Sequence, residues 1–156
     1  MVRRTLFIVC GLPGAGKTTH ARTLAQTLDA VRFNPDEWMQ AIGFDLWDEA
    51  ARDRIETLQW QIAQTVLAAG APCIIEWGTW GRAERDALRE GARALGAAVE
   101  LHYLSAPPEV LLERIRRRGA EDPAVTLEDL EGWLAVFQAP TAEEFECYDA
   151  SRTISL

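Results

Sequence analysis

Lysine is almost missing from this chain: of its 16 basic residues only Lys17 is lysine, and all the others are arginine. The guanine-reading loop of GTPases needs an Asn-Lys-x-Asp motif, so a guanine-selective site is disfavoured. Positive charge is scarce overall. A net charge of −8 excludes a general polynucleotide-binding surface, because affinity for a phosphate backbone comes largely from basic side chains. The overall sign leaves a local basic groove open. No run approaches the roughly 18 unbroken apolar residues of a membrane span, so no membrane partner is expected. Cysteine is sparse, and the three present, Cys10, Cys73 and Cys147, are an odd number without metal-ligand spacing. Cys10 and Cys73 lie in apolar strand-like runs and read as small buried hydrophobes. Met1-Val2-Arg3-Arg4 leads directly into a strand pattern, leaving no room for a signal peptide, and the expected location is cytoplasmic. There is no internal repeat, low-complexity tract or linker, which implies a single domain over 1–156. A chain of this size buries on the order of 70% of its unfolded surface.

What is present begins with Thr5-Leu6-Phe7-Ile8-Val9-Cys10, an apolar and β-branched run that predicts a buried strand. Gly11-Leu12-Pro13-Gly14-Ala15-Gly16-Lys17-Thr18-Thr19 follows at once and satisfies the P-loop pattern at a strand-to-helix turn. Glycines let the backbone curl until consecutive N–H groups point at one anion, and the next helix adds its positive end there. Lys17 is spaced to reach the outer phosphates and Thr18 to ligate Mg²⁺. Arginine's planar fork substitutes poorly for a compact ammonium in such a cradle, which fits the one lysine standing at this position.

Downstream, Ala21, Leu24, Ala25 and Leu28 recur at helical spacing over 18–28, and Val31-Arg32-Phe33 reads as a short strand. Asn34-Pro35-Asp36-Glu37 is a helix start with Asn34 as cap, Pro35 in the first turn and Glu37 closing a capping-box-like pair. Residues 38–47 predict a short helix and an irregular connection. A longer helix over about 48–67 stops at Gly70, and 72–76 is a third strand whose apolar run ends at Glu76. A helix over 82–95 has Ala83, Leu88 and Leu95 as inward candidates; a strand spans 98–104; a helix from Pro107 ends in Arg114-Ile115-Arg116-Arg117-Arg118-Gly119. Helices over 126–137 and 141–147 follow, the latter with a Thr141-x-x-Glu144 capping box, and 152–156 is a candidate strand. Strands alternating with helices imply an α/β fold with a parallel sheet flanked by helices, whose ligands gather at the carboxyl ends of the strands. The P-loop, Asp36 and Glu76 all fall at such ends.

These residues resemble the small P-loop kinases of the AAA_33-type and zeta-toxin-like group, relatives of polynucleotide kinase and chloramphenicol phosphotransferase. The likeness is carried by Gly11 to Thr19, Asn34-Pro35-Asp36-Glu37-Trp38, Ile74-Ile75-Glu76, Glu100 to Leu104, Leu112 to Arg118 and Phe137 to Glu144. It implies a single-domain P-loop NTPase, nucleoside-monophosphate-kinase-like, with an Arg-rich lid at about 114–125. It also implies ATP held by Pro13, Gly14, Ala15, Gly16, Lys17, Thr18 and Thr19 and by lid arginines Arg114 and Arg117. In such kinases Lys17 and Arg118 would act on the transferred phosphoryl group, Asp36 would take the proton of the acceptor hydroxyl, and Thr18 with Glu76 would hold Mg²⁺. Relatives often carry Asp where this strand ends in Glu76.

The expected activity is transfer of the γ-phosphate of ATP to a hydroxyl of a small-molecule acceptor. A polynucleotide 5′-hydroxyl kinase and an ATP-binding regulator or weak ATPase are the alternatives, and the acidic composition counts against a nucleic-acid partner. Trp38, Trp47, Trp77 and Trp80 either rim the acceptor side or pack, and Arg82 and Arg85 either meet an acceptor's negative group or form a solvated helix face. His20 and His102 have no partner visible in sequence.

Overall fold

The computed structural model describes residues 3–155. Five parallel strands form one sheet in the order β2-β3-β1-β4-β5: β1 Thr5–Cys10, β2 Val31–Phe33, β3 Cys73–Ile75, β4 Ala98–Ser105 and β5 Ala150–Ser155. Among the described residues, seven helices connect and cover them: α1 Lys17–Leu28, α2 Pro35–Ala41, α3 Glu49–Ala68, α4 Arg82–Ala94, α5 Pro108–Arg118, α6 Leu127–Val136 and α7 Ala142–Phe145. The last strand begins earlier than the sequence suggests, and Leu156 lies outside the described residues, as do Met1 and Val2.

Alternation along β1 sorts the core into two layers. Leu6, Ile8 and Cys10 face α3 and α4 through Ala63, Leu67, Leu88 and Ala92, whereas Phe7 and Val9 face α1, α5 and α6 through Ala21, Leu111 and Leu130. A strand buried on both faces must be apolar throughout, which is why β1 shows no polar alternation. Cys10 and Cys73 are buried and free, as expected, and Cys147 is partly buried. Among the described residues, no helix is long and apolar enough to cross a membrane.

On α4 the expected inward face is corrected. Ala83 is exposed, and the buried stripe is Arg85, Leu88 and Ala92. Arg85 is therefore no solvated side chain: its guanidinium is fully buried and donates to Glu144 at 2.6 and 2.9 Å, to the Thr79 carbonyl at 2.6 Å and to the Gln138 carbonyl at 2.8 Å. Burying a charge is tolerable only when it is paired and its donors are satisfied, and both conditions hold here.

The two expected capping boxes close only halfway. Asn34 Oδ1 accepts from the Glu37 N–H at 3.0 Å and Thr141 Oγ1 from the Glu144 N–H at 3.2 Å. The glutamates do not reach back, because Glu37 pairs with Arg22 and Arg32 and Glu144 with Arg85. A complete box forms instead at Thr126 and Asp129.

Candidate active site

The loop between β1 and α1 is shaped by its glycines. Gly14 has φ +84°, and a Cβ there would lie 2.7 Å from the Leu111 carbonyl; Gly16 caps α1 at φ +93°. The turn aims the amino end of α1 at a cavity of about 780 Å³ lined by Gly14, Ala15, Gly16, Lys17, Thr18 and Thr19. Lys17 Nζ donates to the Leu12 carbonyl at 3.0 Å within the same loop. Burial pushes its pKa down to about 8, while Asp36, Cys10 and Glu76 pull the other way. Pro13 instead lines a second cavity of about 530 Å³, which Gly14, Ala15, Gly16 and Thr19 do not line.

Glu76, just past β3, has a 1% exposed side chain. Its Oε1 accepts from Thr18 Oγ1 at 2.8 Å and from Asn34 Nδ2, and its Oε2 lies 3.0 Å from Arg32 Nη1 with no hydrogen bond of good angle. This is a buried oxygen-rich corner where two strand ends and the first helix meet. Hard cations such as Mg²⁺ take oxygen ligands, so the donor set fits such an ion.

Asp36, in the first turn of α2, is 38% exposed and pairs with Arg52 of α3 at 2.6 Å. Sequence reading missed Arg52, because nothing local relates it to Asp36; only the packing of α2 against α3 does. Six residues, Lys17, Thr18, Asn34, Asp36, Leu46 and Arg118, line both cavities and form the rim between them.

At the end of α5 the arginines separate. Arg114 and Arg118 line the first cavity, with Arg114 donating to the Gly14 carbonyl at 3.4 Å and Arg118 to Glu121 at 2.7 Å. Arg117 is not brought to the cavity. One residue short of Arg118 is about 100° around the helix, and there it pairs with Glu113 on an exposed face. Residues beyond Gly119 reach across to the α2–α3 connection, where Trp47 Nε1 donates to the Pro123 carbonyl at 3.0 Å.

The tryptophans divide as well. Trp47, Trp77 and Trp80 line the second cavity, joined by Trp133, which sequence reading did not single out. Trp38 packs instead in the core against Phe33, with ring centroids 6.3 Å apart. His20 and His102 find partners after all: their ring nitrogens lie 2.8 Å apart, and His102 Nε2 is 3.1 Å from Glu100. Burial lowers the pKa of both imidazoles.

Comparison with known proteins bears on the family and the fold. The chain is 27% identical over 133 residues to an adenylate kinase of Prochlorococcus marinus (strain AS9601), covering 78% of this chain and 72% of that one. A crystal structure of a putative kinase from Chloroflexus aurantiacus J-10-fl superposes with a TM-score of 0.73 at 24% identity, over 97% of this chain and 87% of the other. A gluconokinase from Sinorhizobium meliloti 1021 gives 0.67 at 20% identity, over 99% and 84%. The family model described as AAA domain, AAA_33, matches residues 6–140, most of the chain including the P-loop, Asp36, Glu76 and the α5 arginines, and the chain belongs to that family.

Proposed function

We propose that this protein is an ATP- and Mg²⁺-dependent phosphotransferase that moves the γ-phosphate to a hydroxyl of a small-molecule acceptor. The observation that carries the reading is the shared rim: two cavities meet at Lys17, Thr18, Asp36 and Arg118, the groups such a transfer needs. A triphosphate entering through the first cavity nests on the P-loop amides and the amino end of α1, with its terminal phosphate at the rim. An acceptor in the second cavity then approaches from the opposite side, as an in-line displacement requires.

Asp36 is the base. Its carboxylate takes the hydroxyl proton while the alcohol oxygen bonds to the γ-phosphorus and the bond to the bridging oxygen breaks, leaving ADP. Arg52, 2.6 Å away, orients that carboxylate. Lys17 and Arg118 neutralise charge spreading over the phosphoryl oxygens, and Arg114, on the same face of α5, meets the nucleotide. Thr18 and Glu76 would hold Mg²⁺, which supplies Lewis-acid polarisation of the phosphates when bound. The segment 114–125 acts as a lid over the nucleotide, tied to the acceptor side through Trp47. The adenylate kinase and gluconokinase names of the similar proteins support a kinase.

Incubation with labelled ATP, Mg²⁺ and a panel of small alcohols is the test. The expected result is label in an acceptor, with Asp36→Asn keeping Mg-ATP binding while turnover drops about 10²- to 10⁴-fold. Release of free phosphate alone across the panel, or unchanged turnover in Asp36→Asn, would sink the proposal.

A further inference from the structure

The second cavity has two contrasting walls. One is aromatic: Trp133 lies 6.1 Å from Trp47 and 6.0 Å from Trp80, ring centroid to centroid. The other is acidic, because α3 and α4 bring Glu49, Asp53, Glu56 and Glu84 to the same space. The remaining carboxylates of the cavity already have basic neighbours: Asp36 has Arg52 at 2.6 Å, Glu121 has Arg118 at 2.7 Å and Glu76 has Arg32 at 3.0 Å. Among the described residues, Glu49, Asp53, Glu56 and Glu84 form no ion pair.

A second observation comes from the base of the same cavity. Thr79 is 2% exposed and held at φ +47°, it lines the cavity, and its hydroxyl has no hydrogen-bond partner. A buried hydroxyl without a partner is costly unless a ligand supplies one. Four carboxyls that share one cavity and make no ion pair are likewise unfavourable as anions, and a bound cation relieves that. Burial is the main cause that raises the Glu56 pKa to about 7, with Glu84, Asp53 and Asp36 adding to it and Arg52 opposing it. An anionic acceptor, whether a carboxylate or a phosphodiester, would meet these acids, while the basic side chains of the cavity are already engaged: Arg52 by Asp36, Arg118 by Glu121, and Lys17 by the Leu12 carbonyl at the rim.

We propose that the acceptor is a ring-bearing alcohol carrying a protonated amine, its ammonium among Glu56, Glu84 and Asp53 and its ring against Trp80 and Trp133. Tryptophan faces attract both rings and cations, so the two walls select for one molecule with both features. The Thr79 hydroxyl supplies a hydrogen bond to a ring substituent. This inference rests on the second cavity being the acceptor site.

The test is a tryptophan-fluorescence titration in the presence of Mg-ADP, run beside a phosphate-transfer assay with Mg-ATP. The probes are 2-amino-2-deoxyglucose and 2-amino-1-phenylethanol, each against its N-acetyl derivative, with gluconate as the anionic control. At least one amine should half-saturate at a concentration about tenfold or more below its N-acetyl counterpart, as one charge-assisted or cation–π contact warrants. Glu56→Gln combined with Glu84→Gln should shrink that preference to about threefold or less and leave Mg-ATP affinity alone. Equal or better binding of gluconate or the N-acetyl compounds, no response to either amine, or a preference that survives the double substitution overturns the proposal. Amine-selective binding with no label transferred would sink the kinase reading alone. Transfer to gluconate or a neutral compound would keep that reading and sink this one.

Discussion

Two arginine–carboxylate pairs in this protein have the same 2.6 Å separation and different surroundings: Arg85 with Glu144, and Arg52 with Asp36. The first is closed to solvent, with side chains 0% and 1% exposed; the second is open, at 29% and 38%. Arg85 also donates to Thr79 and Gln138, so one side chain fastens the loop after β3, the segment after α6 and the start of α7. Among the described residues, the Arg52 side chain outside its pair donates only to the Leu46 carbonyl, at 3.1 Å. Separation alone therefore assigns no role. What differs is whether water can take over when a partner leaves: it cannot reach Glu144, and it can reach Asp36.

The sharpest way to break the comparison is to remove Arg85. Arg85→Met leaves Glu144 buried and unpaired, and chemical denaturation should register a loss of about 3–5 kcal/mol. Adding Glu144→Leu should recover most of that loss, because an apolar pair of similar volume needs no counter-charge. A single-variant loss below about 1 kcal/mol would mean that the pair is not sealed. Arg52→Met should behave in the opposite way. Its stability should stay within about 1 kcal/mol of the parent, as for other exposed pairs. Phosphate transfer, measured as kcat, should fall roughly 10- to 100-fold because Asp36, the proposed base, loses its orientation.

Lys17 sharpens the contrast through pH. Its folded pKa of about 8 lies below the ordinary 10.5, so between those values the unfolded chain binds more protons, and the free protein gains stability as pH rises through that window. Nucleotide affinity should run the other way, falling as pH climbs past about 8 and the ammonium is lost. Calorimetric titration of Mg-ATP at pH 7 and pH 9 should differ by roughly tenfold, with Lys17→Met flat between them. The smallest effect belongs to a pair more exposed than either Arg85–Glu144 or Arg52–Asp36. Arg22→Ala, which removes a 60% exposed partner from Glu37, should shift stability by about 0.5 kcal/mol or less in the same denaturation assay.

The sheet and the phosphate loop were legible because their rules are local: a strand buried on both faces must be apolar, and the loop's glycines carry their own spacing. Glu76 and Asp36 were legible for a related reason, since a parallel sheet presents strand ends together. Arg85 was misread because helical-face counting assigns charge to solvent. Its spacing to Leu88 and Ala92, three and seven residues on, was the available signal, and it needed Glu144 nearly sixty residues away to make sense. The acidic wall was invisible for a stronger reason. Glu56 and Glu84 sit on different helices, and no pattern within either one says that they will share a cavity.

A chain whose only ammonium-bearing side chain is Lys17, folded back onto the Leu12 carbonyl and half deprotonated near pH 8, offers acylating chemistry a single side-chain amine. An amine-selective reagent would meet only the α-amino group besides Lys17, so the label found on the Lys17 peptide would report occupancy of this loop, slowed by nucleotide.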